Sequence, residues 1–222
     1  MNQLMLRTLK KTPLDPLCSW IVRKRRQRAV RARQAKELVE WESNGKPVPP
    51  PHIVKQRTLR AYSERYSLRI LVETGTYDGD MVEAMKDAFD RIYSIELSEA
   101  LYQKAKERFK RAKHIELICG DSGIVLKNVM RKLDQPALFW LDGHYSAGVT
   151  AKGDKNTPIC EELRQILGSP ERNHVIVIDD ARCFGSDPDY PSIQELYDYV
   201  KSKRPNMDIE VKDDSIRVTP TR

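Results

Sequence analysis

Acidic side chains stand directly after two apolar stretches of this sequence. Asp142 follows Pro136–Leu141, and Asp179 and Asp180 follow His174–Ile178. Both stretches have the composition of buried strands, and the carboxyl ends of adjacent central strands would bring the three carboxylates together. Carboxylates at such short range repel one another unless a cation lies among them, and oxygen ligands suit Mg²⁺ or a related ion. We therefore predict a metal site here, the alternative being that Asp179 caps a turn and Asp180 faces solvent.

A histidine, His144, stands two residues beyond Asp142. An imidazole with a pKa near neutrality can take the proton from a substrate hydroxyl as that oxygen attacks an electrophile. Coordination to a metal lowers the pKa of the hydroxyl, so histidine is a well-matched base. We predict His144 as the general base. The alternative is a histidine in the loop Gly143–Asn156 that is hydrogen-bonded to a backbone carbonyl.

The elements that must position these residues alternate between strand-like and helical segments from Arg69 onward. Five strand-and-helix units are followed by Met207–Lys212 and Ser215–Thr219, two alternating segments that predict a β-hairpin. This order predicts an α/β fold in which a parallel sheet is covered by helices on both faces. The sequence resembles the class I S-adenosylmethionine (SAM) methyltransferases across Arg69–Thr219. The resemblance implies a Rossmann-like, seven-stranded, mostly parallel sheet with a C-terminal antiparallel hairpin.

Further polar residues follow the first strand-like segment, Arg69–Glu73. The loop that continues from it holds Gly75 and Gly79, and glycine allows a sharp turn and a close approach of the backbone to a ligand. The loop is not the GxGxxG of dinucleotide folds, which suits SAM, because the amino-acid end of SAM carries no phosphate. We predict Glu73, Gly75, Thr76 and Gly79 as cofactor-binding residues.

The next two strand ends add three more candidates for the same ligand. Glu96 ends the segment Arg91–Glu96, about 20 residues after the loop, where a carboxylate can accept hydrogen bonds from two ribose hydroxyls. Asp121 and Ser122 follow the third strand-like segment, where an acceptor can bind the amino group of adenine. The family resemblance assigns cofactor binding to Glu96, Asp121 and Ser122.

Two sequence motifs relate the chain to one subgroup of these methyltransferases. WLDGHY, which contains Asp142, and VIDDARCF, which contains Asp179 and Asp180, resemble those of metal-dependent sugar and macrolide O-methyltransferases. The resemblance implies Mg²⁺ at these three acids, SAM as methyl donor, and a hydroxyl of a sugar or related small molecule as acceptor. It also implies Asp142 as a catalytic residue and a base two or three residues beyond it, which is His144 or Tyr145.

Charge divides the chain into two parts. Residues 1–60 carry 15 Lys and Arg against 4 Asp and Glu, whereas the whole chain of 222 residues has a net charge of +7. A proline-rich linker, Lys46–Pro51, follows a predicted helix over Pro16–Ser43. We predict a basic helical arm with its linker over residues 1–51 and a methyltransferase domain over residues 52–222. The arm can contact an anionic surface, join two copies of the chain, or be a solvated helix face, which is the interpretation we favour.

Composition excludes several protein classes. No stretch is long and apolar enough for a membrane helix, and no secretory signal is recognisable. The four cysteines have no metal-binding spacing and indicate reduced thiols, so we expect a cytoplasmic protein. They are Cys18, Cys119, Cys160 and Cys183.

Two other functions remain as alternatives. An NAD-dependent oxidoreductase or epimerase is disfavoured by the GTYDG loop, by the hairpin, and by the lack of a Tyr-xxx-Lys pair after a central strand. A nucleic-acid-binding or nucleic-acid-modifying protein would use the basic arm. It is disfavoured because the chain lacks the Asn/Asp-Pro-Pro-Tyr motif of the enzymes that methylate base amines.

Overall fold

The computed structural model describes residues 16–143 and 157–221 of the chain. The chain divides into two compact units, with the division between Gly45 and Lys46. Within the first unit, helix α1 spans Pro16–Ser43, the bounds that the sequence predicts. Its composition explains the helix, since Ala, Arg, Gln, Glu and Lys are strong helix formers and the segment contains no internal glycine.

The second unit is built on a seven-stranded sheet with the strand order β3-β2-β1-β4-β5-β7-β6. The strands β1 to β5 are parallel, and β7 is antiparallel to both of its neighbours. The predicted fold class is thereby confirmed, including the C-terminal hairpin. The strands are β1 (Ile70–Thr74), β2 (Arg91–Glu96), β3 (Ile115–Cys119), β4 (Leu138–Leu141), β5 (Val175–Ile178), β6 (Met207–Lys212) and β7 (Ser215–Pro220).

Helices cover both faces of this sheet. Successive side chains of a strand point to opposite faces, and on β4 Phe139 joins one buried cluster whereas Trp140 joins the other. Helices α5, α6 and α7 contribute to the first cluster, and α2, α3 and α4 to the second. The helices are α2 (His52–Tyr66), α3 (Asp80–Met85), α4 (Glu99–Phe109), α5 (Ser122–Met130), α6 (Ile159–Leu167) and α7 (Ile193–Lys203), with a 3₁₀ turn at Ala181–Cys183.

Helix α2 was not predicted from the sequence. Its buried apolar residues, Val54, Leu59 and Tyr62, are spaced by polar ones, and Pro51 at its N-cap provides no side-chain hydrogen bond. Helix α6 begins at Ile159, and Pro158 is its N-cap residue.

Two further observations concern composition. In the described part of the chain, none of the helices combines the length and the apolar character needed to cross a membrane. Cys119 and Cys183 are free thiols.

Candidate active site

The loop between β1 and α3 lies against the backbone that follows β4. Gly75 has a φ of +82°, and a Cβ at this position would lie 2.9 Å from the carbonyl carbon of Asp142. Only glycine fits there, because both the left-handed backbone and the close approach exclude a side chain. The N–H groups of Gly75 and Thr76 donate to the carbonyl of Ile95, at 2.9 and 3.2 Å. The loop therefore curls over the end of β2 and borders Asp142, the acid that follows β4.

Glu96 lies at the end of β2, facing this loop. Its Oε2 accepts the backbone N–H of Tyr77 at 2.7 Å, and its Oε1 accepts that of Ser98 at 2.8 Å. The residue is buried, and these two bonds orient its carboxylate. Each carboxylate oxygen can accept two hydrogen bonds. Glu96 can therefore accept one further hydrogen bond on each oxygen, which suits a pair of neighbouring hydroxyls.

Glu73 lies beneath the loop, one residue before the end of β1, and is only 1% exposed. It accepts a hydrogen bond from the hydroxyl of Ser94, which also contacts the Thr76 hydroxyl at 2.6 Å. Burial raises the pKa of Glu73 to about 8; the Ser94 bond opposes this shift and the charges of Asp142 and Glu96 add to it. Glu73 and Thr76 thus connect the loop to the sheet, and their contact with a cofactor stays a prediction.

Gly79 ends the loop and precedes α3. Its φ is +77°, and a Cβ there would lie 2.7 Å from the ring of Phe109 on α4. Its N–H donates to the carbonyl of Thr76 at 2.8 Å. Close packing against Phe109 is enough to require glycine here, and the predicted contact with a cofactor stays untested.

The start of α5 carries the two residues predicted after β3. Asp121 is the N-cap of α5, and its Oδ1 accepts the N–H of Gly123 at 2.8 Å. Ser122 is buried and donates its hydroxyl proton to Oε1 of Glu162, on α6, at 2.5 Å. Since that proton is engaged, the Ser122 hydroxyl can only accept a hydrogen bond from a ligand.

Glu162 was not identified from the sequence. It is 1% exposed, and burial raises its pKa to about 7, although the bond from Ser122 opposes the shift. A signal was present, because Glu162 is in phase with Ile159, Leu163 and Ile166 on the buried face of α6. An acid within an apolar helix stripe indicates a buried carboxyl with a specific partner.

The structure brings Asp142, Asp179 and Asp180 together, as predicted. One carboxylate oxygen of each lies within 4.8 Å of the others, and Asp179 and Asp180 are 4% and 3% exposed. The backbone explains the geometry, since β4 and β5 are adjacent and the N–H of Asp179 donates to the carbonyl of Leu141 at 3.0 Å. Three hard oxygen donors at this spacing form an acid cluster that can coordinate a divalent cation.

Asp179 is the most constrained member of this acid cluster. Lys55, on α2, donates from its ammonium to Oδ2, whereas Oδ1 is buried and has no hydrogen-bond partner among the residues that the structure describes. Burial raises the pKa of Asp179 to about 7; the charge of Asp142 adds to the shift and Lys55 opposes it. An orphaned, buried carboxylate oxygen is costly unless a ligand satisfies it, so the donor set fits a cation.

Asp180 is held by Arg182 and the C-terminal hairpin. Its Oδ1 accepts a hydrogen bond from Nη1 of Arg182 at 2.7 Å, and the same guanidinium pairs with Asp214, in the turn between β6 and β7. Oδ1 of Asp214 also accepts the backbone N–H of Arg182 at 3.0 Å. The hairpin therefore orients one of the three acids. Neither Lys55 nor Arg182 was identified from the sequence.

The predicted base and its alternative, His144 and Tyr145, lie outside the described residues. They follow Asp142 and Gly143 directly in the chain. Their roles remain predictions from the sequence.

Comparison with known proteins connects this geometry to one fold family. No protein-family model matches the chain, and neither does any curated protein. Among solved structures, the O-methyltransferase TomG from Streptomyces achromogenes, in complex with SAM, is similar with a TM-score of 0.57 and 18% identity over 85% of this chain and 89% of that one. An O-methyltransferase from Bacillus cereus in complex with SAH has a TM-score of 0.56 and 16% identity over 85% and 90%.

A third similar structure covers more of the chain. The SAH-bound methyltransferase of Podospora anserina has a TM-score of 0.53 and 18% identity over 95% of this chain and 98% of that one. At these identities the comparisons establish the fold. The chain has the Rossmann-like fold of SAM-dependent methyltransferases.

Proposed function

We propose that this chain is a SAM-dependent O-methyltransferase that uses a divalent cation to methylate a hydroxyl group of a sugar or a related small molecule. The observation that carries the proposal is the contact between the Gly75 loop and the backbone of Asp142. The loop, which also contacts Glu96 through the N–H of Tyr77, therefore borders the acid cluster at Asp142. A methyl donor on one side and an acceptor on the other would therefore meet at Asp142.

The donor side consists of the ends of β1, β2 and β3. Glu96 would accept hydrogen bonds from the two ribose hydroxyls with the acceptor sites that Tyr77 and Ser98 leave available. Asp121, whose Oδ1 is engaged by Gly123, would accept the adenine amino group on its other oxygen. The side-chain-free surface of Gly75 would allow the amino-acid end of the donor to lie against the loop.

The acceptor side consists of the ends of β4 and β5. Asp142, Asp179 and Asp180 would hold the divalent cation, and the buried Oδ1 of Asp179 supports this assignment. SAM supplies an electrophilic methyl group, and a divalent cation supplies a Lewis acid that favours the ionised form of a hydroxyl. His144 would accept the hydroxyl proton, with Tyr145 as the alternative base.

The test is a methyl-transfer assay with sugar and glycoside acceptors, in the presence of Mg²⁺ or EDTA. We expect EDTA and Asp179→Asn each to abolish turnover and leave SAM binding nearly intact, because the acid cluster lies outside the donor side. Glu116→Gln, on the exposed edge strand β3, is the control. Full activity in EDTA would contradict the metal, and methylation of RNA alone would contradict the acceptor class.

A separate variant tests the proposed role of His144 as general base. His144→Ala should lower the rate by about 10²–10⁴, the usual contribution of a general base. A rate within a few-fold of wild type would assign the proton transfer to Tyr145 or to water.

A further inference from the structure

The side chain of Lys55 places a positive charge next to the acid cluster. Its ammonium pairs with Oδ2 of Asp179 and lies 5.8 Å from the ring centroid of Trp140, and its side chain is 18% exposed. Desolvation favours the neutral amine, but the charges of Asp179, Asp142 and Asp180 outweigh it and raise the pKa of Lys55. The acid cluster therefore already has a positive charge at one of its three carboxylates.

The helix that carries Lys55 is anchored to the sheet. Leu59, one turn further along α2, is fully buried. Arg217, on β7, reaches the hydroxyl of Thr58 at 3.5 Å and the carboxylate of Asp213 at 3.2 Å. Lys55 is therefore presented to Asp179 by a helix that is packed against the sheet and held by the hairpin.

We propose that Lys55 is an internal competitor of the divalent cation, holding the Asp179 carboxylate in the metal-free protein and lowering the affinity of the acid cluster for the metal. This inference rests on the proposed function, because the metal site is itself part of that proposal. Lys55 partly neutralises three carboxylates that would otherwise repel one another, so the site is stable without metal.

The same charge must then oppose the incoming ion. A divalent cation among the three acids would lie a few ångströms from the ammonium. At the effective dielectric constant of a protein site, the repulsion at such a distance is enough to lower affinity by about tenfold or more. The competition is electrostatic, because Lys55 contacts Oδ2 of Asp179 whereas the buried Oδ1 has no partner among the described residues and can accept the metal.

The test is calorimetric titration of the full-length protein with Mg²⁺ at pH 8.5. Lys55→Met and Lys55→Gln remove the charge, and the second keeps a hydrogen-bond donor near Asp179 if the first does not fold. We expect both to bind Mg²⁺ about tenfold more tightly than wild type. Lys55→Arg, which keeps the charge, should stay close to wild type, and so should Lys132→Met, which removes a lysine from a surface pair with Glu116.

Thermal unfolding gives a second readout. Without metal, the neutral variants should melt below wild type, since Asp179 loses its partner, and added Mg²⁺ should raise their melting temperature more than it raises that of wild type. Equal or weaker Mg²⁺ binding by the neutral variants would overturn the competition. If neither wild type nor variants bind Mg²⁺ while all still bind SAM, the metal site itself is wrong, and the inference fails with it.

Discussion

The guanidinium of Arg217, on β7, lies over the ring of Tyr62, on α2, with its central carbon 5.8 Å from the ring centroid. This contact joins the unpredicted helix α2 to the C-terminal hairpin. Tyr62 and Leu59 also belong to the buried cluster that contains Leu71 and Trp140. Helix α2 is therefore part of the methyltransferase-like fold.

The first prediction concerns two truncations. A protein starting at His52 should stay soluble and bind SAM like the full chain, because α2 and the whole sheet are retained. A protein starting at Ser67 should aggregate or lose cooperative unfolding, because the apolar surface beneath α2 would be exposed. Solubility, thermal unfolding and SAM titration are the measurements. Loss of SAM binding in the longer protein would show that the arm, residues 1–51, contributes to the cofactor site.

The second prediction concerns Gly75→Ala. The variant must adopt a φ of +82° with a side chain and also displace the backbone of Asp142, so we expect at least about tenfold weaker SAM binding and a lower melting temperature. Gly185→Ala is the matched control, since its φ is +78° but the nearest atom to its Cβ would be 3.6 Å away. If the two variants lose the same stability and neither loses SAM affinity, the loop contact does not shape the cofactor site.

The third prediction concerns Glu96→Ala. Loss of charge-assisted hydrogen bonds to the ribose should weaken SAM binding by about 1.5–3 kcal/mol, measured by calorimetric titration. Glu116→Ala, an acid on β3 that lies half exposed in a pair with Lys132, serves as the control. Unchanged affinity in Glu96→Ala would mean that the ribose does not bind at the end of β2.

The fourth prediction concerns the buried acid Glu73 and pH. Its pKa is about 8 in the folded protein, against an ordinary value of 4.5. Between these values the folded state binds the extra proton, so the free energy of unfolding falls as pH rises, by up to about 1.4 kcal/mol per pH unit. Glu73→Gln keeps an acceptor for Ser94 without the charge. It should therefore be more stable than wild type at pH 8 and similar at pH 4.5.

Denaturant unfolding at several pH values measures this difference. Burial also raises the pKa of Glu162, to about 7. Because Glu162 is present in both proteins, its contribution to the pH dependence cancels when their stabilities are compared. Parallel stability curves for wild type and Glu73→Gln would show that folding does not raise the pKa of Glu73.

The sequence predicted the strands and the acids at their ends because buried parallel strands are continuous apolar runs with visible boundaries. Asp142, Asp179 and Asp180 could be grouped because strand order alone brings them to one edge. Lys55 could not, because its place in the site depends on where α2 packs, and the irregular spacing of apolar residues in that helix conceals its buried face. Glu162 could have been found, since its phase on α6 marks it as buried.

The placement of β7 between β5 and β6 has a consequence for how the chain folds during synthesis. Strand β6 leaves the ribosome before β7, yet the sheet offers it no neighbour until Ser215–Pro220 have emerged. Until then β5 presents an open edge of four apolar residues, Val175–Ile178, which another chain could pair with. The nascent chain thus exposes this edge until its hairpin closes, and Asp214 can hold Arg182, the partner of Asp180, only once the hairpin has formed.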